Sequence, residues 1–461
     1  MCWKGNVKMD QNELIKKYNV PVPRYTSYPT VPMWQFDQEV VSKWPSLVKK
    51  VFEETNENKG ISLYLHLPFC ERLCTYCGCN KHITVNHTVE SPYIESIIKE
   101  YQHYQDIFGR PARISEMHLG GGTPTFFSPE NLEQLIGNLL SDTSPSDIQE
   151  YSFEGHPNST TYDHLKVLHQ LGFNRVSFGV QDFSEKVQKA INRIQPLSKV
   201  VEAVENARKV GYESVNFDLI FGLPFQTEKI ITDTFNKVLA LRPERIAYYS
   251  YAHVPWKSPS QRGYDENDLP DNELKRKLYD IGKEMLLQSG YEEVGMDHFA
   301  LKHDQLYKAF EKGNLHRNFM GYTVSNTDLL LGLGASSISD AKYAYIQNEK
   351  KVKPYQHAIS EGTIPIINGH VLTSQDLDIK AFIKSVICNG EADWNEMSPD
   401  DLPDNNRALL SQMQNEGLVG LDSKGIKITE KGKPFIRNIC NVFDLRHWAS
   451  KSEVRRYSKS I

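Results

Sequence analysis

The stretch Ile61-Ser-Leu-Tyr-Leu-His66-Leu-Pro-Phe-Cys70-Glu-Arg-Leu-Cys74-Thr-Tyr-Cys77-Gly-Cys79-Asn80 decides how the chain is read. An apolar, strand-like run, Ile61–Phe69, feeds straight into a loop that holds four of the seven cysteines within ten residues. Seven cysteines are too few for a disulfide framework in a chain this long, so their clustering points to metal or redox chemistry. Downstream, the pattern of that first strand repeats. Strand-like runs at Ile114–Gly120, Ile148–Glu154, Arg175–Gln181, Val215–Phe221 and Arg245–Ala252 alternate with amphipathic helical patterns. The helical patterns fall at Ser91–Ile107, Pro129–Leu140, Tyr162–Leu171, Leu197–Val210 and Glu228–Leu241. Ser128, Thr160 and Thr227 are the expected helix starts, and Gly172 and Gly211 the expected stops. Six successive βα units predict an α/β fold built on a parallel, barrel-like sheet.

Outside these units the pattern loosens. Residues 1–57 are expected to form an N-terminal extension covering the core, with a Pro-rich segment at Val20–Thr30. Residues 58–355 are the expected barrel domain with its C-terminal extension, including a long helix at Asn272–Gln288. Residues 356–461 are the expected accessory domain. There the helix at Asn405–Gly417, hairpin at Leu418–Thr429 and helix at Lys433–Phe443 follow the order of a winged-helix unit. The chain has 461 residues, 39% of them apolar, and a net charge of -5. That balance gives no footprint for nucleic acid or an anionic membrane. No run of 18 apolar residues and no leader pattern occur, so a cytoplasmic location is expected.

Thiolates spaced Cys-x3-Cys-x2-Cys at Cys70, Cys74 and Cys77 can wrap one cuboidal 4Fe-4S cluster and leave its fourth iron without a protein ligand. An iron so exposed can be chelated by the amino and carboxylate groups of S-adenosylmethionine. The competing reading is a four-thiolate zinc site that uses Cys79. Zinc sites usually pair Cys-x2-Cys knuckles from two loops, and a terminal Cys-x-Cys suits a tetrahedron poorly. Cys388 and Cys440 sit in apolar helical patterns and read as packed thiols.

The second strand ends in Gly120-Gly121-Gly122-Thr123-Pro124-Thr125, where the lack of Cβ atoms lets backbone approach a ligand closely. No Lys-Ser/Thr follows, which argues against a Walker phosphate loop. Glu154, Gln181 and Asp218 recur at the ends of the third, fourth and fifth strands, the end where parallel barrels build their sites. Each taken singly could be a capping or turn residue. His66 reads either as a proton- or electron-route residue or as a satisfied strand histidine. Arg193 reads either as a forked carboxylate ligand or as a surface residue before Pro196.

These residues resemble a known family. Tyr64–Cys70, Gly120–Thr125, Gly179-Val-Gln181-Asp182-Phe183, Asn192-Arg193, Asp218-Leu-Ile-Phe-Gly222-Leu-Pro224 and Tyr251-Ala252-His253 are similar to motifs of the oxygen-independent coproporphyrinogen III oxidases. So are Arg24–Thr30, Gly295-Met-Asp-His-Phe-Ala300, His316-Arg-Asn-Phe319 and Arg437-Asn-Ile-Cys440. The resemblance implies a partial (β/α)6 TIM-like barrel of the radical SAM type with a mostly helical, winged-helix-like C-terminal domain. It also implies one 4Fe-4S cluster on Cys70, Cys74 and Cys77 and two bound S-adenosylmethionine molecules. By matching position, Tyr64, Gly121, Glu154, Ala252 and Ile338 meet the first; Tyr76, Gly122, Thr123, Gln181, Arg193 and Asp218 meet the second. His66 and Glu154 are the catalytic candidates.

The implied reaction is anaerobic oxidative decarboxylation of two propionates of coproporphyrinogen III to vinyls, by a 5′-deoxyadenosyl radical, giving protoporphyrinogen IX for haem synthesis. The implied partners are that substrate and an electron donor such as flavodoxin or ferredoxin, with the chain a monomer. A related haem chaperone and a haem-binding carrier are the alternatives; Cys79 and the Arg24–Thr30 segment favour the oxidase. Arg24–Thr30 and the basic tail, Arg446 to Lys459, are expected to cover the open barrel face.

Overall fold

The computed structural model describes residues 10–144, 149–256, 258–395, 397–450 and 457. Cys2, Ile148 and the tail residues Lys451, Arg455, Arg456 and Lys459 lie outside the described residues. Six strands follow the sequence pattern closely: β1 Ile61–Leu67, β2 Ala112–Gly121, β3 Glu150–Gly155, β4 Phe173–Gln181, β5 Ser214–Phe221 and β6 Arg245–Ser250. Each pairs in parallel with the next. Beyond β6 come β7 Tyr291–Val294 and β8 His298–Leu301, then β9 Leu329–Leu333, β10 Ile338–Ala341, β11 Ala344–Asn348 and β12 Ile366–Val371. They share one sheet in the order β7-β8-β6-β5-β4-β3-β2-β1-β9-β10-β11-β12, which does not close on itself. This is a partial barrel. β9 adds a seventh parallel strand, beside β1. It follows no helix-length repeat, so the βα alternation did not announce it.

The helices between the strands begin and end for local reasons. Ser128 accepts from Asn131 N at 3.2 Å and Thr227 from Ile230 N at 3.3 Å, as expected of N-caps. The third start is one residue later than expected: Thr161, not Thr160, accepts from His164 N, because Thr160 Oγ1 donates back to His156 O. Helix Leu197–Val210 buries Val200, Ala203, Val204 and Ala207, one face of a 3.6-residue period, and stops at Gly211 with φ 114°.

The strands alternate in a way that defines the molecule. Leu63, Leu65, Met117, Leu119, Phe153, Val176, Phe178, Val215, Phe217 and Ile246 belong to the large apolar core. The intervening residues face the barrel interior and are mostly polar: Ser62 pairs in register with Glu116, Tyr64 with His118, His118 with Ser152, Glu154 with Ser177, and Ser177 with Asn216. At the N-terminal end of the interior the charges satisfy one another. Arg245 reaches Glu150 at 3.2 Å and Asp304 at 2.6 Å, and Arg175 reaches Glu150 at 3.1 Å.

Burial alone would raise the Glu150 carboxyl, but Arg245 and Arg175 hold it at about 2. A carboxyl depressed on folding contributes stability above its unfolded value, and that contribution is lost as pH falls from about 4.5 through about 2. The size is about 3 kcal/mol. Arg245→Met leaves Glu150 and Asp304 short of a counter-charge and is expected to cost about 3–5 kcal/mol at pH 7. Measured by denaturant melts, the gap between the two proteins should shrink as pH falls toward 2. A gap independent of pH would show that the charges do not act as described.

Chain contacts divide the protein into two compact units. The larger holds Gln35–Lys308 and Val324–Val371, so helix Gln38–Thr55 and strands β9 to β12 belong with the barrel. The smaller combines the chain up to Trp34, Ala309–Thr323 and the chain from Leu372. In it, helix Asp404–Asn415 precedes a hairpin, Val419–Leu421 and Gly425–Ile428, whose second strand also pairs with Glu391–Asp393. Helix Ile436–Val442 follows, which completes the winged-helix-like order.

The N-terminal segment is part of this smaller unit. Arg437 Nε donates to Pro23 O at 3.0 Å, and Tyr25 OH donates to Asp444 at 3.1 Å. Tyr25 and Tyr28 are buried, and Arg446 forms a forked pair with Asp376 at 2.6 and 2.7 Å. Tyr25 and Arg446 are thus paired with residues of their own unit. Among the described residues no helix is long and apolar enough to cross a membrane.

Candidate functional site

The cysteine loop leaves β1 at Leu67 and is shaped by its neighbours. Phe69–Cys70 pairs with His82–Ile83. Thr75 N donates to Ile191 O at 3.0 Å, and Asn80 Nδ2 donates to Lys350 O at 2.8 Å. His66 pins the far end of the loop: Nε2–H donates to Asn80 O at 2.8 Å, while Nδ1 accepts from Tyr64 OH at 3.1 Å. Both ring nitrogens are engaged, and burial lowers its pKa, so His66 is a neutral clamp.

The glycine turn after β2 docks against this loop. Gly122 N donates to Leu67 O at 2.8 Å and Thr123 N to Phe69 O at 2.9 Å. A Cβ on Gly122 would lie 2.5 Å from Pro68 C, and one on Gly121, where φ is 103°, would lie 2.5 Å from the His66 ring. Two of the three glycines are therefore required by the protein itself, before any ligand is considered. Gly120 differs: its open side faces Glu154 Oε1 and Tyr64 at 3.0 and 3.2 Å.

Each thiol has its own surroundings. Cys70 Sγ lies 3.4 Å from Thr123 Oγ1; burial raises this thiol and the Thr123 hydroxyl opposes the rise. Arg193 Nη1 approaches Cys74 Sγ at 3.6 Å, while Nη2 donates to Gly179 O at 2.7 Å. Arg193 thus lies against the cysteine loop and not on the outer surface. Its Nε has no hydrogen-bond partner among the described residues. A hydrogen bond from Cys79 lowers the Cys77 thiol, and the same contact raises Cys79, which is exposed.

Among the described residues no three His, Cys, Asp or Glu side chains close to the spacing of a single metal ion. Three thiols spread along one short segment, one beside a guanidinium and one beside a hydroxyl, suit a cluster gripped corner by corner. The residues fit a 4Fe-4S cluster.

Glu154 faces the interior with its Oε1 3.5 Å from His118 Nε2, and His118 Nδ1 bonds Ser152 Oγ at 2.8 Å. Asp218 lies inside β5, three residues before its end rather than at it. It accepts from Ser177 Oγ at 2.9 Å and Asn216 Nδ2 at 3.0 Å; burial raises its carboxyl, and Glu154 adds to that rise. Gln181 adopts φ 66°, and its amide, like the Arg193 fork, fills the space left by Gly179, 2.7 and 2.9 Å from where a Cβ would be. Tyr76 packs with Val187, Ile191, Ile220, Leu223, Tyr251 and Tyr264. Gln261 Nε2 ties Tyr76 O to Ala252 O at 3.4 and 3.3 Å. Ile338 lies beside Gly332, the register partner of Tyr64.

All the residues expected at the site fall in the larger unit, around the C-terminal ends of β1 to β6 and the neighbouring edge of β10. His118, Ser177, Asn216 and Gln261 were missed. The first three carry a signal in the sequence, polar residues at every second strand position; Gln261 carries none.

Residues 64–238 match the model of the Radical SAM superfamily. The oxygen-independent coproporphyrinogen III oxidase of Pseudomonas aeruginosa is 37% identical over 461 residues, covering 97% of this chain and 98% of the relative. The same enzyme of Escherichia coli is 36% identical with the same coverage. A solved structure of coproporphyrinogen III oxidase from Escherichia coli, described as a radical SAM enzyme, superposes with TM-score 0.85 at 35% identity, over 95% of this chain and 99% of that one. With radical SAM motifs on the matching strands and likeness along nearly its whole length, this chain belongs to the oxygen-independent coproporphyrinogen III oxidase family.

Proposed function

We propose that this chain is an oxidoreductase of haem synthesis that decarboxylates two propionates of coproporphyrinogen III, without oxygen, to give protoporphyrinogen IX. The observation that carries the reading is the polar barrel interior, walled by Glu154 and Asp218 and capped at its C-terminal end by the three-cysteine loop. When bound, the cluster and S-adenosylmethionine supply a 5′-deoxyadenosyl radical able to take a hydrogen atom from the propionate β-carbon.

The chain's own residues do the holding. Cys70, Cys74 and Cys77 grip the cluster, and His66 keeps the loop closed on β1. Tyr64, Gly121, Glu154, Ala252 and Ile338 receive the first S-adenosylmethionine. Tyr76, Gly122, Thr123, Gln181, Arg193 and Asp218 receive a second, with Arg193 suited to its carboxylate and Asp218 to its hydroxyl or amino groups. His118 and Ser152 orient Glu154. No base is required for the hydrogen abstraction, so the protein must bind, orient and exclude water. An electron donor such as flavodoxin or ferredoxin approaches the cysteine loop on its exposed Cys79 side, and the chain acts as a cytoplasmic monomer.

The test is anaerobic incubation of reconstituted protein with coproporphyrinogen III, S-adenosylmethionine and a reductant, followed by product analysis. Protoporphyrinogen IX and 5′-deoxyadenosine are the expected products. Tightly bound haem with no decarboxylation would instead support the carrier reading.

A further inference from the structure

The run Lys350-Lys351-Val352-Lys353 puts three lysines within four residues of a chain whose net charge is -5. All three are exposed, and among the described residues none of their ammonium groups has an ion pair. The fold does not ask for them. Helix Val352–Ser360 starts at this run with no acid in its first turn, and positive charge at a helix start opposes the macrodipole. Unpaired charge held against the local electrostatics points outward, to something the chain meets.

Topology brings the run to the cysteine loop. β9 runs parallel to β1, β10 runs back and β11 turns again, so β11 points the same way as β1. Its exit, residues 349–353, therefore emerges on the rim where the cysteine loop leaves β1. Asn80 Nδ2 donates to Lys350 O at 2.8 Å and joins the two. Lys81 Nζ donates to Cys77 O at 3.0 Å, which adds a fourth cation next to the thiols.

The segment that follows Asn80 supplies an apolar centre. His82–Ile83 pairs with Phe69–Cys70, which sets Ile83 opposite Cys70, one strand spacing of about 4.8 Å away. Thr84 N donates to Cys70 O at 2.9 Å. Ile83 is 41% exposed, and Val85, at 75%, is the most exposed large apolar side chain among the described residues. The segment then enters helix Glu90–Phe108, whose Tyr93 ring lies 5.7 Å from the Tyr355 ring of helix Val352–Ser360. The apolar segment and the lysine run thus head two packed helices. Their acidic neighbours are engaged: Glu71 stands 4.0 Å from His87 Nε2, and Glu349 accepts from Lys351 N at 2.9 Å.

An apolar centre with a cationic rim, one strand away from a cluster thiol, suits entry of an electron from a negatively charged protein. We propose that Ile83, Val85, Lys350, Lys351 and Lys353 form the docking surface for an acidic one-electron carrier protein. The inference rests on the functional reading above and adds to it the surface at which the reductant binds. One electron leaves the reduced carrier and enters the cluster through the cysteine loop, so the carrier is oxidised by one electron. No bond forms or breaks at the surface. That electron is consumed in breaking the sulfonium–C5′ bond of S-adenosylmethionine, which yields methionine and the 5′-deoxyadenosyl radical.

The experiment compares reconstituted wild type with two variants, one carrying Lys350→Glu, Lys351→Glu and Lys353→Glu together, the other Val85→Ser. Each is supplied in turn with an acidic flavodoxin, kept reduced by NADPH and a reductase, and with dithionite. The triple variant is expected to raise KM for flavodoxin about tenfold or more and to lose the salt dependence of the wild type. Val85→Ser should weaken flavodoxin binding while keeping that salt dependence. With dithionite, 5′-deoxyadenosine and carbon dioxide should form at wild-type rates in both. A second readout does not depend on turnover: carbodiimide coupling of flavodoxin carboxylates to wild type should map to Lys350, Lys351 and Lys353.

Unchanged KM for flavodoxin in the triple variant, or coupling that maps to other lysines, would overturn the proposal. Equal loss of decarboxylation with dithionite would overturn it as well, by placing the lysines with the substrate's carboxylates. Lysine-dependent flavodoxin binding and S-adenosylmethionine cleavage without carbon dioxide from coproporphyrinogen III would remove the functional reading and leave the surface standing. Full decarboxylation with flavodoxin, indifferent to the lysines, would do the reverse.

Discussion

Cys70→Ala, Cys74→Ala and Cys77→Ala are each expected to lose the cluster and all decarboxylation, whereas Cys79→Ala is expected to retain about four irons per chain. The asymmetry follows from position. Cys70 is fixed by strand pairing with Ile83 and by the Thr123 hydroxyl, and Cys74 faces the Arg193 fork. Cys77 lies on the loop segment that His66 closes through Asn80. Cys79 is exposed, and its contact is with Cys77 itself. Iron and sulfide analysis after anaerobic reconstitution, with the visible absorption of the cluster, checks all four variants. Loss of iron from Cys79→Ala, together with zinc bound tightly in the wild type, would sink the cluster assignment.

Glu154→Ala and Asp218→Ala are expected to fail at different stages. Glu154 stands beside Gly120 and Tyr64, at the turn that docks on the cysteine loop, so its loss should slow reductive cleavage of S-adenosylmethionine itself. Removing one charge-assisted hydrogen bond costs about 1.5–3 kcal/mol, or about 10- to 100-fold. Asp218 lies deeper, on β5, where Ser177 and Asn216 hold its carboxylate. Its loss should leave cleavage near the wild-type rate and reduce decarboxylation by a similar factor. The readout is the ratio of 5′-deoxyadenosine to carbon dioxide. Equal losses of both products in both variants would contradict two separate roles, and equilibrium binding of one S-adenosylmethionine per chain in every condition would contradict a second cofactor.

Much of this arrangement is legible in the sequence, for reasons that can be traced to particular residues. β5 could be read as Val215–Phe221, within one residue of its true start, because a short apolar run bounded by Gly211 and Gly222 has few other ways to fold. The cysteine loop was readable because thiolate spacing is a local property. Arg193 stayed between two readings of the residues, because its approach to Cys74 depends on a turn after helix Glu185–Ala190 that composition does not encode. The same holds for the N-terminal segment. Tyr25 reads as part of an outer cover, and its partner Asp444 lies more than four hundred residues away in sequence. His118, Ser177 and Asn216 were passed over because buried parallel strands are ordinarily apolar throughout. Their polarity at alternate positions was the clue that one face of these strands lines a chamber.

That alternation means each strand carries two interleaved messages, and natural variation should act on them separately. Phe217 and Asp218 are neighbours in β5, one wedged into the apolar layer and the other looking into the chamber. Phe217→Ala should cost about 3–5 kcal/mol in unfolding while leaving the chamber wall its chemistry. Asp218→Asn keeps the shape and should scarcely change the melt, yet it alters what the chamber can hold. A lineage could therefore exchange one tetrapyrrole for another substrate by rewriting only every second residue, with the cohesion of the barrel left to the residues between.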